Sequence, residues 1–307
     1  MKYEPHECSP HASYFLIHNS YFLIPNMSFL LEPFQFEFFR NGTIAAVLVG
    51  AMCGLIGVYI VLRGMSYIGH GLSHAIFGGA VASFVLQINF YVGAGIWGFI
   101  AALLINRTVR KTRISADAAI GVITTASFAV GVALISRYRR FTRSFDAALF
   151  GNILGVKSED VWVILGITVL IVLVIVLLYK QMLFATFDSA VAQVYGVRIE
   201  WIETIFALVL AAALIASMQI LGVTLVAAAL IIPAITARLL TDSFDTMIVL
   251  STIIGAMSGL IGMFLSFYVD VASGATIVLL QSSFFVIALT ISSLRKQATQ
   301  RLMHTHV

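Results

Sequence analysis

The feature that most constrains this chain is an uninterrupted apolar run at residues 161–179, VWVILGITVLIVLVIVLLY, in which none of the nineteen residues is charged. At about 1.5 Å of rise per residue, a helix of that length spans roughly 28 Å, close to the thickness of a bilayer's hydrocarbon core. Similar runs follow one another along the chain, the mean hydropathy is +1.01, and only 10% of residues are charged. Soluble domains have about 25% charged residues. The sequence therefore predicts an all-α, polytopic membrane bundle of eight or nine transmembrane helices.

Hydropathy places nine spans, and the charges of their links indicate the orientation. Eleven of the eighteen Lys and Arg residues fall on one side, including Arg63, Lys180 and the tail residues Arg295 and Lys296. The positive-inside rule makes that side cytoplasmic. The predicted spans are 38–62, 66–86, 91–106, 116–136, 161–179, 202–220, 223–240, 246–267 and 275–293.

We expect one permease domain over 31–294, an N-terminal extension at 1–30 and a cytoplasmic tail at 295–307. The extension carries the tandem SYFLIHNSYFLI at 13–24 without the basic start or cleavage site of a signal peptide. Translation from Met27 is an equally good interpretation. Cys8 and Cys53 form neither a disulfide framework nor a cysteine metal site. The net charge of +4 comes from residues that flank spans, so it does not indicate nucleic acid.

Two histidines lie in the membrane region, in the stretch MSYIGHGLSHAIFGG at 65–79. His70 and His74 are four residues apart and share one helix face, with Ser66 on the same stripe and Ser73 beside it. Ionisable residues within a membrane are costly and often functional, and neutral imidazole binds first-row transition metals. From spacing alone, a buried structural pair is as good an interpretation as a ligand pair.

The residues around this pair argue against an enzyme. A zinc protease helix needs H-E-x-x-H, with glutamate as general base, whereas Gly71 follows His70 here. Two histidines are also too few for an intramembrane di-iron oxygenase. The chain contains no G-x-x-x-x-G-K-[ST] phosphate loop, so any energy that it uses comes from a gradient or from a separate subunit.

The link at 184–203 is the longest on the cytoplasmic side. Asp188 to Gly196 predicts a short helix, with Ala192 inside it and Gly196 ending it. Such a helix suits docking on a motor subunit, and a solvated loop is the alternative. Further pathway candidates are a mid-span proline and two polar residues near span ends, namely Pro233, Asn152 and Gln219. Glycines 50, 54 and 57, with 255, 259 and 262, are typical of close helix packing.

Four stretches together resemble the metal-type (ABC-3) permease family of ATP-binding-cassette importers for manganese, zinc or iron. They are LEPFQFEFFRNG at 31–42, RGMSYIGHGLSHAIFGG at 63–79, DAALFGNILGV at 146–156 and GVTLVAAALIIPAITARLL at 222–240. The resemblance implies a homodimeric permease in a bacterial plasma membrane. It also implies two copies of a cytoplasmic ATPase, which binds the ATP, and an extracytoplasmic metal-binding protein. Asp188, Ala192 and Gly196 would then match the family's coupling helix.

The family pattern in the second span is G-D-x-x-S-H-A. Ser73, His74 and Ala75 match it, while His70 replaces the usual aspartate. Loss of a carboxylate favours zinc over manganese on ligand preference. A subgroup of apparent manganese permeases with GHGLSHAxFGG points to manganese instead, so the metal stays open between the two. The alternatives to this function are a gradient-driven metal or small-solute transporter and a membrane assembly factor.

Overall fold

The structure is a computed structural model that describes residues 31–112, 114–138, 151 and 153–304. Within that part of the chain the architecture is entirely helical, with 3₁₀ turns at Glu32–Gln35 and Ile153–Gly155. The helices are α1 (Glu37–Leu62), α2 (Ser66–Val85), α3 (Phe90–Lys111), α4 (Ala116–Arg137), α5 (Ser158–Leu177), α6 (Tyr179–Phe187), α7 (Ser189–Val194), α8 (Ile199–Leu240), α9 (Phe244–Val269) and α10 (Ser273–His304).

Local signals set several helix ends. Asn89 caps α3, because its side-chain oxygen accepts a hydrogen bond from the backbone N–H of Tyr91 at 2.8 Å. Ser115 caps α4 in the same way by accepting from Ala118 at 3.3 Å. These caps satisfy N–H groups that have no partner in the first helical turn. Helix α1 ends before Gly64, whose φ of 65° is a conformation that glycine adopts without strain.

Helices α1 and α9 pack backbone against backbone. A Cβ on Gly50 would lie 2.2 Å from the carbonyl oxygen of Gly255, and one on Gly54 would lie 2.3 Å from that of Ser251. The Ser251 hydroxyl donates to the Gly54 carbonyl at 2.6 Å. Residue numbers rise from Gly50 to Gly54 in α1 while those of their partners fall from Gly255 to Ser251 in α9, so the two helices are antiparallel. The small residues therefore allow a contact that any larger side chain would block.

Helix α8 reverses direction within the bundle. Its backbone is non-helical at Gly222, where φ is 75° and ψ is 165°. Phe206, in its first half, packs on Tyr59 with ring centroids 6.4 Å apart, while Leu230, in its second half, reaches Gly57. In a straight helix, 24 residues would separate those two positions by about 36 Å. Both halves instead contact the last turns of α1, so the second half runs back towards the end where the first began.

The two ends of the bundle can therefore be distinguished. One end, the link end, carries the close of α1, the start of α2 and the link formed by α6 and α7, since Arg63 bonds to Thr186. The opposite end carries the starts of α1 and α5, where Asn41 donates to the hydroxyl of Ser158 at 3.2 Å.

The predicted all-α membrane bundle is confirmed. Eight helices in the described part are long and apolar enough to cross a membrane, against nine predicted spans. The difference is α8, which joins the predicted spans 202–220 and 223–240 without a loop. Helices α3 and α10 also run past their predicted ends, to Lys111 and His304. The extension at 1–30 lies outside the described residues.

Candidate metal-transport site

The two membrane histidines lie together on the face of α2 that is turned towards α4. Their ring centroids are 4.6 Å apart with the planes at 83°, an edge-to-face arrangement. Both line an open cavity of about 520 Å³ between α2 and α4. The predicted shared face is therefore present, and it faces a space large enough to admit a hydrated ion.

His74 is the more enclosed of the pair. Its ring contacts the edge of Phe128 at a centroid distance of 5.0 Å. Its Nδ1 atom is buried, and within the described part of the chain it has no hydrogen-bond partner. A buried polar atom without a partner is unfavourable in a finished core. The arrangement therefore suits a group that binds something from the cavity better than it suits a purely structural histidine.

Helix α4 forms the opposite wall of the cavity. A Cβ on Gly71 would lie 2.4 Å from Cγ2 of Ile120, so the two helices meet closely beside the histidines. The hydroxyls of Thr124 and Thr125 and the carboxylate of Asp117 belong to the same wall. Asp117 was not singled out from the sequence. Among the described residues, no three His, Cys, Asp or Glu side chains are grouped closely enough to hold a metal ion.

The other predicted pathway residues of α2 are placed differently. Ser73 is buried, and its hydroxyl lies 2.8 Å from the carbonyl oxygen of His70 and 3.2 Å from that of Val223. It therefore joins α2 to the start of the second half of α8. Ser66 is the first residue of α2 and does not line the histidine cavity.

The remaining pathway candidates lie on or near α8. Gln219 accepts a hydrogen bond from the hydroxyl of Tyr91 at 2.8 Å, which ties α8 to the start of α3. Pro233 is buried inside the second half of α8, where the backbone stays helical, and the interruption occurs at Gly222 instead. Glycine can adopt the positive φ of that position without strain. Asn152 lies outside the described residues.

The predicted short helix of the link is present as α7. Asp188 caps it, since its side chain accepts from the backbone N–H groups of Ala190 and Val191 at 3.0 and 2.9 Å. Ala192 is fully buried, and Gly196 follows the helix with a φ of 80°. The outward side of this segment exposes large apolar side chains, namely Phe187, Val191, Val194 and Tyr195.

Arg63 connects this link to the start of α2, and sequence reasoning did not single it out. Its Nε donates to the hydroxyl of Thr186 at 3.0 Å, and its guanidinium lies 4.3 Å from the ring centroid of Phe206. Burial lowers the pKa of Arg63, while the nearby carboxylate of Glu203 opposes that shift. Within the described residues its Nη2 atom is buried without a hydrogen-bond partner. The side chain lines a second cavity, of about 280 Å³, at the link end.

Comparison with known proteins assigns the chain to a family. The model of the ABC 3 transport family matches residues 35–292, which is most of the chain. The chain belongs to the ABC 3 transport family. It is 39% identical over 254 residues to the manganese transport system membrane protein MntC of Halalkalibacterium halodurans, covering 83% of this chain and 87% of that protein. It is 34% identical over 258 residues to the chelated iron transport system membrane protein YfeD of Yersinia pestis, covering 84% and 86%.

A solved structure supports the same assignment. A chain of PsaBC from Streptococcus pneumoniae, solved in complex with Fab, superposes with a TM-score of 0.77 at 36% identity. The superposition covers 85% of this chain and 94% of that one. In this ABC 3 protein, Arg63 and the histidine pair lie on one short stretch of chain that runs from the end of α1 into α2. That stretch lies in one of the four that carry the family resemblance.

Proposed function

We propose that the chain is the permease subunit of an ATP-binding-cassette importer in a bacterial plasma membrane, and that it conducts a divalent transition metal. The observation that carries the proposal is the histidine pair on the open cavity, with the unpartnered Nδ1 atom of His74. Imidazole nitrogen is a good ligand for such ions. Manganese is favoured over zinc and iron, because MntC, at 39% identity, is named for manganese.

The path requires weak and successive contacts with the ion. A conduit must bind its cargo strongly enough to admit it and weakly enough to release it. Two imidazoles without a third grouped His, Cys, Asp or Glu side chain among the described residues suit this requirement, since a closed set of ligands would retain the ion. We assign His74 and His70 to brief contacts with the dehydrating ion as it crosses the bundle.

Partner chains supply the energy and the cargo. We assign α7 to docking on a cytoplasmic ATPase, with two copies of each subunit in the complex, because the exposed apolar side chains of the link need a partner surface. Asp188, Ala192 and Gly196 shape this segment and hold it against the bundle. An extracytoplasmic metal-binding protein would dock on the opposite end, at the segments 137–160 and 268–274, which join α4 to α5 and α9 to α10. ATP hydrolysis takes place on the partner, and the permease itself is not an enzyme.

Uptake of radioactive manganese and zinc tests the proposal, in cells that make the chain with its ATPase and binding protein. We expect accumulation of manganese that His74→Ala abolishes while the complex still assembles. His70→Asp would report whether that position sets metal preference. The control is Leu170→Ala, on an exposed face of α5 away from the cavity.

Two results would contradict the proposal. Undiminished uptake by the His74→Ala variant would make the pair structural. Uptake that persists with an ATPase partner unable to hydrolyse ATP would instead identify a gradient-driven transporter.

A further inference from the structure

The histidine cavity contains one more side chain that can contact a cation, the carboxylate of Asp117 on α4. We propose that Asp117 is a specificity-determining contact for the transported ion, between the histidine pair and the cytoplasm. This inference rests on the proposed function.

The packing of α2 on α4 fixes where Asp117 lies along the path. Gly71 meets Ile120. Two turns later, a Cβ on Gly78 would lie 2.3 Å from the carbonyl oxygen of Ser127. Both sets of residue numbers increase together, so the two helices are parallel and start at the link end. Asp117 precedes Ile120 by about one turn and therefore lies on the link side of His70. An ion that moves from His74 to His70 meets Asp117 next.

Among the described residues the Asp117 carboxylate makes no hydrogen bond or ion pair; its position in the first turn of α4 is favourable for a negative charge. The cap of α4 is Ser115, whose hydroxyl accepts from the N–H of Ala118, so Asp117 is not needed for that purpose. Among the described residues no Lys, Arg or His nitrogen lies within 4 Å of its carboxylate oxygens, since the ion pairs found there join Arg110 to Glu200 and Arg238 to Asp242. The side chain is exposed to the cavity. A carboxylate without an ion pair, on the same cavity as the two imidazoles, gives a cation a favourable next position.

Ligand chemistry gives this position a selective effect. Imidazole nitrogen suits zinc better than manganese, whereas carboxylate oxygen suits harder ions such as manganese. Two imidazoles alone would favour zinc. A carboxylate in the same cavity adds the oxygen ligand and the negative charge that a manganese path needs. Because the three side chains do not form one closed group, Asp117 acts as a successive contact and not as part of a resident site.

The test is initial uptake of manganese and of zinc by the full complex in proteoliposomes, with metal-loaded binding protein on the outside. We expect Asp117→Asn to lower manganese uptake by at least about ten-fold, the lower end of the effect of even indirect partners of metal ligands. Zinc uptake should fall less, so the manganese-to-zinc ratio should drop. Asp117→Glu, which restores the carboxylate, should keep most of the manganese uptake. Asp242→Asn, which removes a fully exposed carboxylate at the link end, should leave both rates unchanged.

Complex assembly and ATP hydrolysis are measured on each variant, so that loss of folding is recognised. The inference is overturned if Asp117→Asn carries both metals at the wild-type rates and ratio. It is also overturned if Asp117→Asn lowers both metals equally and Asp117→Glu does not restore manganese uptake. A wild-type complex that transports neither metal would instead refute the proposed function.

Discussion

Replacement of Gly50 by alanine should open the seam between α1 and α9. The added Cβ would lie 2.2 Å from the carbonyl oxygen of Gly255, whereas ordinary contact begins at 3.4 Å. The difference, 3.4 minus 2.2, requires the two backbones to separate by about 1.2 Å at that point. Neither side of the contact is a flexible side chain, so the separation must spread along the seam. It would lengthen the hydrogen bond from Ser251 to the Gly54 carbonyl, now 2.6 Å.

Overpacking a core lowers the free energy of unfolding by about 1–3 kcal/mol. Replacing glycine by alanine within a helix raises it by about 0.5–1 kcal/mol, so the expected net effect is a loss of stability. The matched control is Gly166→Ala in α5, where a Cβ would meet no atom within 4 Å. That variant should keep the propensity gain without the clash.

Heating each variant in detergent and measuring the folded fraction by size-exclusion chromatography gives the comparison. Gly50→Ala should unfold at a lower temperature than wild type, and Gly166→Ala at the same or a higher one. Gly255→Ala should repeat the effect, because its Cβ would lie 2.1 Å from the Gly50 carbonyl oxygen. The variant that carries both substitutions should lose less stability than the two single variants together, since the same separation of α1 and α9 accommodates both added Cβ atoms. Equal unfolding temperatures for Gly50→Ala and Gly166→Ala would refute the packing argument.

Three further predictions concern the link end. Arg63→Lys should lower uptake while the complex still assembles, because lysine cannot donate to Thr186 and stack as a plane at once; uptake by this variant at the wild-type rate would contradict this. Val194→Asp should reduce co-purification of the ATPase, because Val194 is 86% exposed on the proposed docking segment. The hydrogen bond to Asp245 raises the pKa of Tyr179 to about 12. The small stabilisation from this hydrogen bond is therefore complete below about pH 10 and is lost as the pH rises through about 12. Tyr179→Phe should therefore unfold at a lower temperature than wild type below about pH 10, and at the same temperature above about pH 12.

Hydropathy predicted most of the fold because the bilayer imposes one length on every helix that crosses it. Seven predicted spans correspond to single helices, and the apolar content of each was visible locally. The reversal in α8 was not visible, since a single glycine makes it without a polar loop. A proline was the stronger local signal for a break, but Pro233 stays within the helix. The sequence could not show whether neighbouring groups would form hydrogen bonds with the backbone that Pro233 leaves unpaired.

The candidate site was predicted only where its residues lie on one helix. His70 and His74 are neighbours through helical geometry alone, so their spacing was enough. Asp117 joins them only because Gly71 lets α4 approach. It lies 47 residues after His70 and 43 after His74, and nothing in the sequence between them indicates that contact. Arg63 resembled an ordinary topogenic charge, and its bond to Thr186 depends on how the link folds back. The positions of Asp117 and Arg63 in the structure depend on contacts between helices, which the sequence of a single segment does not show.

Helix α2 is the wall between the two cavities, and this determines how the link can act on the ion path. One face of α2 contributes His70 and His74 to the larger cavity, and another contributes Ile68 and Leu72 to the cavity at the link end. Ile120 lines both, so the partition beside Gly71 is one side chain thick. One connection from the link to the histidines runs through the Arg63 bond to Thr186 and then along α2. A displacement of the link that pulls on Arg63 must therefore change the shape of both cavities together, because they share this helix as their boundary.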